Sequence, residues 1–296
     1  MLKRNMELLL AAIIISRSTS YLFSKLIMEH LEPYNLLAIR FSCAFIVLCV
    51  LFHNKLRSIQ LHTLFRGFLL GIVFTGVMAA ETHGLRLTDS GTTSFLENSA
   101  VIIVPIIEAI FYKELPQKKT VFSILITFCG IAFLTLSSGN NLIKGGSIYC
   151  ILAAILYAAV IVMTAHFSKK DDALVLGILQ VGFIGLFSLI LSFIFETPAL
   201  PQRSSEWAMI LILALVCTCF GFTLQPLAQK HISAERAGMF CALSPFTATL
   251  LGAIILHEEL HLGRLIGCVL VLIGILFPHI ISCFSMHPYR TVIKSK

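Results

Sequence analysis

Residues 253–261 read AIILHEELH, and residues 109–117, lying 144 positions earlier, read AIFYKELPQ. Alone, the later stretch contains HEELH at 257–261, the H-E-x-x-H pattern of zinc proteases. On a helix, His257 and His261 would share one face and hold the metal, and Glu258 would activate a bound water. Set side by side, the two stretches read differently. Glu114 stands where Glu258 stands, but Lys113 and Gln117 stand where the histidines do. The register continues, since Gly130-Ile131 meets Gly274-Ile275 and Phe133 meets Phe277. The glutamate therefore reads as part of a repeated turn between two apolar runs, where it caps or brackets helix ends. The three aspartates, Asp89, Asp171 and Asp172, all fall between apolar runs and offer no third zinc ligand inside one.

The chain around this repeat has the composition of a membrane protein. Residues AVILMFWYC make up 57% of its 296 residues, and charged residues make up 12%. Soluble domains carry about 25% charged residues, and the mean hydropathy here is +0.93. Ten apolar runs approach the roughly 20 residues that a spanning helix needs. They lie at 7–28, 34–53, 65–86, 92–112, 119–137, 146–166, 173–195, 205–227, 236–256 and 263–284. The N-terminal run has the positive start of a signal peptide but no small-residue cleavage site, and reads as a retained first span. The nine cysteines form no CxxC pair and read as packing residues; Cys217 and Cys219 should point to different neighbours. The net charge of +7 comes from short groups such as NKLR at 54–57, not from one basic patch. That argues against a nucleic-acid partner and for membrane loops.

Lysine and arginine set the orientation. With the N-terminus cytoplasmic, fifteen of the 22 fall in inside segments and five in outside segments, with Arg17 and Arg40 inside spans. That bias predicts both termini in the cytoplasm. Each half holds an odd number of spans, so the halves at 1–140 and 141–296 must sit in opposite orientations. The expected fold is an all-α integral membrane protein of the cell membrane, with ten transmembrane helices in two inverted five-helix repeats, the plan of secondary transporters.

The segment ALSPFTATLLGAIILHEELHLGRLIGCVLVLIGILF at 242–277 resembles the closing segment of EamA-type members of the drug/metabolite transporter superfamily. The shared features are Pro245, then Glu258 thirteen residues on, then Gly267 and Gly274 in the last span. EPYNLLAIRFSCA at 32–44 resembles the start of the family's second span through Pro33 and Arg40. The resemblance implies ten helices around a central cavity that opens alternately to each side and moves small metabolites, often outward. One departure stands in SRSTSYLFSKL at 16–26. The family has a tryptophan and a glycine ahead of its aromatic and lysine, and this chain has Arg17 and Ser18 ahead of Tyr21 and Lys25. A 140-residue shift puts Tyr157 opposite Arg17 and Gln180 opposite Arg40.

Polar groups within spans are the candidate site, because charge there is costly. A central arginine costs about 2.5–3.5 kcal/mol on insertion scales, so Arg17 should face a wet cavity or be locked to an internal glutamate. Tyr21 shares its helix face one turn on. Arg40, Glu81, Glu97 and Asn98 complete the first-half group, with Glu97 and Glu81 as candidates for carrying protons. In the second half the polar positions are Tyr157, Gln180, Gln225 and Ser244. A cavity polar on one wall and greasy on the other suits an amphiphilic, amino-acid-like solute. The reading is therefore a secondary transporter, not an enzyme, exporting small metabolites, with protons as a candidate coupling ion and no cofactor. Monomer and homodimer are equally compatible with the sequence. The alternatives are a membrane-embedded zinc metalloprotease using HEELH, and a non-transporting scaffold or receptor.

Overall fold

The computed structural model describes residues 2–57, 59–88, 90–113, 116–136, 145–247 and 262–285. The described residues form helices and their connections, with no strand. Among the described residues, six stretches are long and apolar enough to cross a membrane: Arg4–Ile27, Pro33–Leu51, Leu61–Leu87, Ser147–Phe167, Ala173–Phe195 and Ser204–Gln229. Each falls within about four residues of a run read from the sequence at its starting and ending points. HEELH and the turn at 114–115 lie outside the described residues.

The chain opens with α1 (Leu2–Ser18) and α2 (Ser20–Ile27), followed by α3 (Pro33–Leu51), the short α4 (His53–Leu56) and α5 (Leu61–Leu87). Next come α6 (Ser90–Asn98), α7 (Ala100–Tyr112) and α8 (Lys118–Leu136). The second half has α9 (Ser147–Phe167), α10 (Ala173–Phe195) and α11 (Ser204–Ile212), which runs through a π-helical segment (Leu213–Phe222) into α12 (Thr223–Gln229). It continues with α13 (Ala234–Cys241) and α14 (Leu262–Ser285).

Local chemistry sets several helix ends. Pro33 opens α3, where its missing N–H costs no hydrogen bond. Asp172 caps α10 by accepting from Leu174 N at 2.9 Å and Val175 N at 3.3 Å. The start of α3 is capped from the other half of the chain. Glu196, at the end of α10, accepts from the amides of Tyr34 and Asn35, both at 2.8 Å.

The most extensive pairings all join the first half to the second: α8 with α14, α3 with α10, and α5 with α9 and α10. The α8–α14 pair is close because the glycines equated by the 144-residue shift both lie in it. A Cβ on Gly130 would fall 2.6 Å from Val271 N, and one on Gly274 would fall 2.2 Å from Thr127 Oγ1. Ser123 also donates to the Gly274 carbonyl at 2.7 Å. Small residues let helix backbones approach this closely in a membrane.

Three helices are interrupted partway along: at Thr19 between α1 and α2, at Ser99 between α6 and α7, and at Ala242 after α13. The sequence reading gave each as one run. Ser18 and Thr19 donate to Ile15 O and Ser16 O at 2.7 and 2.8 Å, and Ser99 N bonds Leu96 O at 3.2 Å. Ala242 N bonds Met239 O at 3.1 Å. Three-residue spacing tightens the turn and competes with the α ladder. The fourth irregularity is the π segment, where Thr218 Oγ1 donates five residues back to Leu213 O at 3.0 Å. Pro226, inside α12, has no N–H to offer Phe222 O. Cys217 bonds Ser16 O on α1 and Cys219 bonds Ala44 O on α3, so the two thiols do face different neighbours.

The charged connections gather at two ends. One end carries Arg236–Glu7 at 3.1 Å, Lys55–Asp172 at 3.1 Å and Arg66–Asp171 at 2.6 Å. The other carries Arg86–Glu32, Lys25 donating to Thr88 O at 3.1 Å, and Arg203 at 3.0 Å from His30.

Candidate functional site

The interrupted helices converge on a small cavity. Its wall includes Arg17 from α1, Ser20 and Tyr21 from α2, Glu81 and Met78 from α5, and Glu97 and Asn98 from the end of α6. Tyr157, Phe222, Cys241 and Ser244 close it from the second half. The free volume is about 20 Å³, far below the roughly 300–1,000 Å³ of sites that enclose small molecules. A metabolite therefore enters only if the walls part.

Arg17 dominates the polar wall. It donates to the Tyr157 hydroxyl at 2.9 Å and to Gln225 Oε1 at 2.6 Å. Its guanidinium lies 4.1 Å from the Phe222 ring centre, 5.3 Å from that of Tyr157 and 5.6 Å from that of Phe74. It makes no ion pair among the described residues. Nε is buried without a partner. Gly221 makes room for the arginine stem, since a Cβ there would fall 2.6 Å from Arg17 Cγ. Arg17 and Tyr157, equated by the 140-residue shift, thus touch each other.

The carboxylates are held differently. Glu97 accepts from the Tyr21 hydroxyl at 2.7 Å. Glu81 is 8% exposed, and its side chain makes no hydrogen bond or ion pair among the described residues. Asn98 turns its amide back to Ser94 O at 2.7 Å, so it offers the cavity its oxygen. The arrangement presents one fixed cation and two carboxylates to a single space without pairing them to each other.

Of the residues singled out in the sequence, Arg17, Tyr21, Glu81, Glu97, Asn98, Tyr157 and Ser244 share this wall, and Gln225 stands one hydrogen bond behind it. Arg40 and Gln180, expected on the wall, are not there. Arg40 Nε donates to Thr218 Oγ1 at 2.8 Å, and its guanidinium lies against Phe41 and Phe222. The π segment supplies that hydroxyl and draws Arg40 into the interface between α3 and the segment. Gln180 is buried with neither amide atom partnered. Phe222, Cys241, Met78 and Ser20 went unnoticed in the sequence. The one available signal for Phe222 was its place four residues before Pro226.

The EamA-like transporter family matches the chain twice, over residues 4–136 and 144–278. The chain belongs to the EamA-like transporter family. An "Uncharacterized transporter" of Archaeoglobus fulgidus is 25% identical over 91% of this chain and 84% of its own. "Uncharacterized transporter YetK" of Bacillus subtilis is 25% identical over 90% and 84%. An "Uncharacterized transporter" of Haemophilus influenzae is 24% identical over 83% and 87%. A crystal structure 15% identical to this chain has the same fold, with a TM-score of 0.78 over 96% of this chain and 99% of that one. This EamA-family chain is thus a multi-pass membrane protein of a transporter family, which points away from an enzyme. The HEELH reading falls on residues outside those described.

Proposed function

We propose that this EamA-family chain is a secondary transporter that exports small, amino-acid-like amphiphilic metabolites by alternating access. In this reading it has ten helices in two inverted repeats dividing near residue 140, with both termini cytoplasmic. The observation that carries the proposal is Arg17: a charged group deep in a span, lining the same small cavity as Glu81 and Glu97 but ion-paired to neither. An internal cation kept for helix packing would be expected to pair with the carboxylates beside it. One held by rings and neutral acceptors keeps its remaining donor capacity for a ligand anion. Glu81 and Glu97 complement it by receiving either a substrate ammonium or a proton, which is how coupling to a proton gradient would arise. The near-zero volume fits an occluded stage of the cycle. Small polar groups at the helix interruptions fit walls that re-form when the cavity opens.

The test compares metabolites in spent medium and cell extract from cells expressing the protein, its Arg17→Ala variant, or neither. A solute enriched outside only with the intact protein is the expected result and names the substrate class. Enrichment inside would keep transport and reverse the direction. Identical profiles in all three, with the protein inserted and abundant, would sink the transport reading for the solutes detected.

A further inference from the structure

A groove of about 840 Å³ opens between α5 and α10, lined by Leu61, His62, Leu64, Phe65, Phe68 and Phe183. Its floor is aromatic. Phe68 packs 5.5 Å from Phe183 and 5.6 Å from Phe187, with Phe65 6.5 Å away on the same helix. Leu61 and Phe65 are strongly exposed. The groove sits at the first turns of α5, on the end of the molecule that carries Lys55, Arg57, Arg66 and Lys170.

The connections beside the groove are basic, and their two carboxylates are already occupied. Asp171 receives Thr63 Oγ1 at 2.7 Å, Arg66 at 2.6 Å and His62 Nε2 at 3.0 Å. Asp172 is taken up by the α10 cap and by Lys55. Arg57 and Lys170 stay exposed with no ion pair among the described residues. The positive end of the α5 dipole lies at the same end of the molecule.

We propose that this groove binds an anionic phospholipid of the cytoplasmic leaflet, with an acyl chain along Phe65, Phe68 and Phe183 and the phosphate at Arg57 and Lys170. The leaflet assignment rests on the orientation given under the proposed function. An apolar trough with exposed cations on the adjoining connections matches a lipid's two chemistries in the order a bilayer presents them. A second copy of the chain on a two-fold axis would bring one set of these cations against another, which disfavours it as the occupant.

The test is native mass spectrometry of protein taken from nanodiscs of phosphatidylcholine mixed with phosphatidylglycerol. The intact protein should retain phosphatidylglycerol preferentially. Arg57→Gln with Lys170→Gln should lower the ratio of retained anionic to zwitterionic lipid roughly thirtyfold, the order expected from losing two interfacial cations. Phe65→Ala should lower retention of both lipids, and Lys118→Gln with Lys119→Gln, on another loop, should change nothing. An unchanged ratio in the Arg57/Lys170 variant, or an equal fall in the Lys118/Lys119 control, overturns the site. A membrane-impermeant amine reagent on intact cells checks the orientation separately. Labelling of Lys170 from outside overturns the leaflet assignment, whatever the lipid ratio shows.

Discussion

Arg17 holds its charge with rings and neutral acceptors. Placing an arginine mid-span costs about 2.5–3.5 kcal/mol on insertion scales. Two hydrogen bonds to a charged donor contribute about 1.5–3 kcal/mol each, and a desolvated ring at the 4.1 Å of Phe222 about 2 kcal/mol more. The neutral surroundings therefore offset the insertion cost without a carboxylate. Arg17→Ala should lower transport about a hundredfold or more, the order expected when a charged partner of a bound ion is removed. The variant should still insert and elute as a single species in size-exclusion chromatography. Full transport by that variant would make Arg17 structural. For proton coupling, Glu81→Gln and Glu97→Gln should each leave measurable exchange of substrate across proteoliposomes while flattening its response to an imposed pH gradient. A gradient response unchanged in both variants would remove these carboxylates from coupling. Arg17, Tyr21, Glu81 and Glu97 were legible in the sequence because polar groups stand out against apolar runs. Phe222 is one of 23 phenylalanines and carries no such contrast. Arg40 was legible as a buried charge but its partner was not, because Thr218 lies in a segment whose π-helical register leaves no mark in the sequence.

At the scale of helices, the six spans found among the described residues were readable from hydropathy, and the interruptions of helices were not. LALVCTCFGF at 213–222 is apolar on every face but for Thr218, so neither an α nor a π period leaves a pattern in it. The breaks at Thr19, Ser99 and Ala242 arise from side-chain and three-residue backbone bonds that compete with the α ladder by small margins. Two glycines on facing helices separate packing from function. A Cβ on Gly177 would fall 2.2 Å from the Thr223 backbone oxygen, which a side-chain rotation cannot relieve. Gly177→Ala should destabilise the protein by about 1–3 kcal/mol through overpacking. A Cβ on Gly221 would meet the flexible stem of Arg17 at 2.6 Å. Gly221→Ala should move the guanidinium off Phe222 and lower transport more than it lowers the melting temperature. Thermal melts and transport assays on the same preparations check both. An equal loss of stability in the two variants would deny Arg17 the freedom to yield.

Across the whole molecule, the two halves are fastened to each other at both ends of the α3–α10 pair. Glu196 caps α3 at one end, and Asp172 meets Lys55 at the other. Asp171 adds a tie from the α9–α10 connection to α5. These ties bind α3, α5 and α10 to one another through their ends and connections, while the interrupted helices lie around the cavity. The strength of the Asp171 tie has a pH signature. Burial of its carboxyl pushes the pKa up, but hydrogen bonds from Arg66 and Thr63, with the charges of Arg66 and His62, outweigh burial and hold it below the usual carboxylate range. A carboxylate depressed in the folded state stabilises fully above its unfolded value of about 3.9 and loses that contribution as pH falls through its folded value. Asp171→Asn should therefore cost about 2 kcal/mol near neutral pH, the order of a lost charged hydrogen bond with a donor left unpaired. The difference from the unaltered protein should shrink as the pH is lowered below about 4. Melting curves of both proteins in detergent, taken from neutral to acid, measure it. A gap that stays constant would mean that Asp171 acts by shape alone. A gap that closes would place the charge of this one residue in the tie between the two halves.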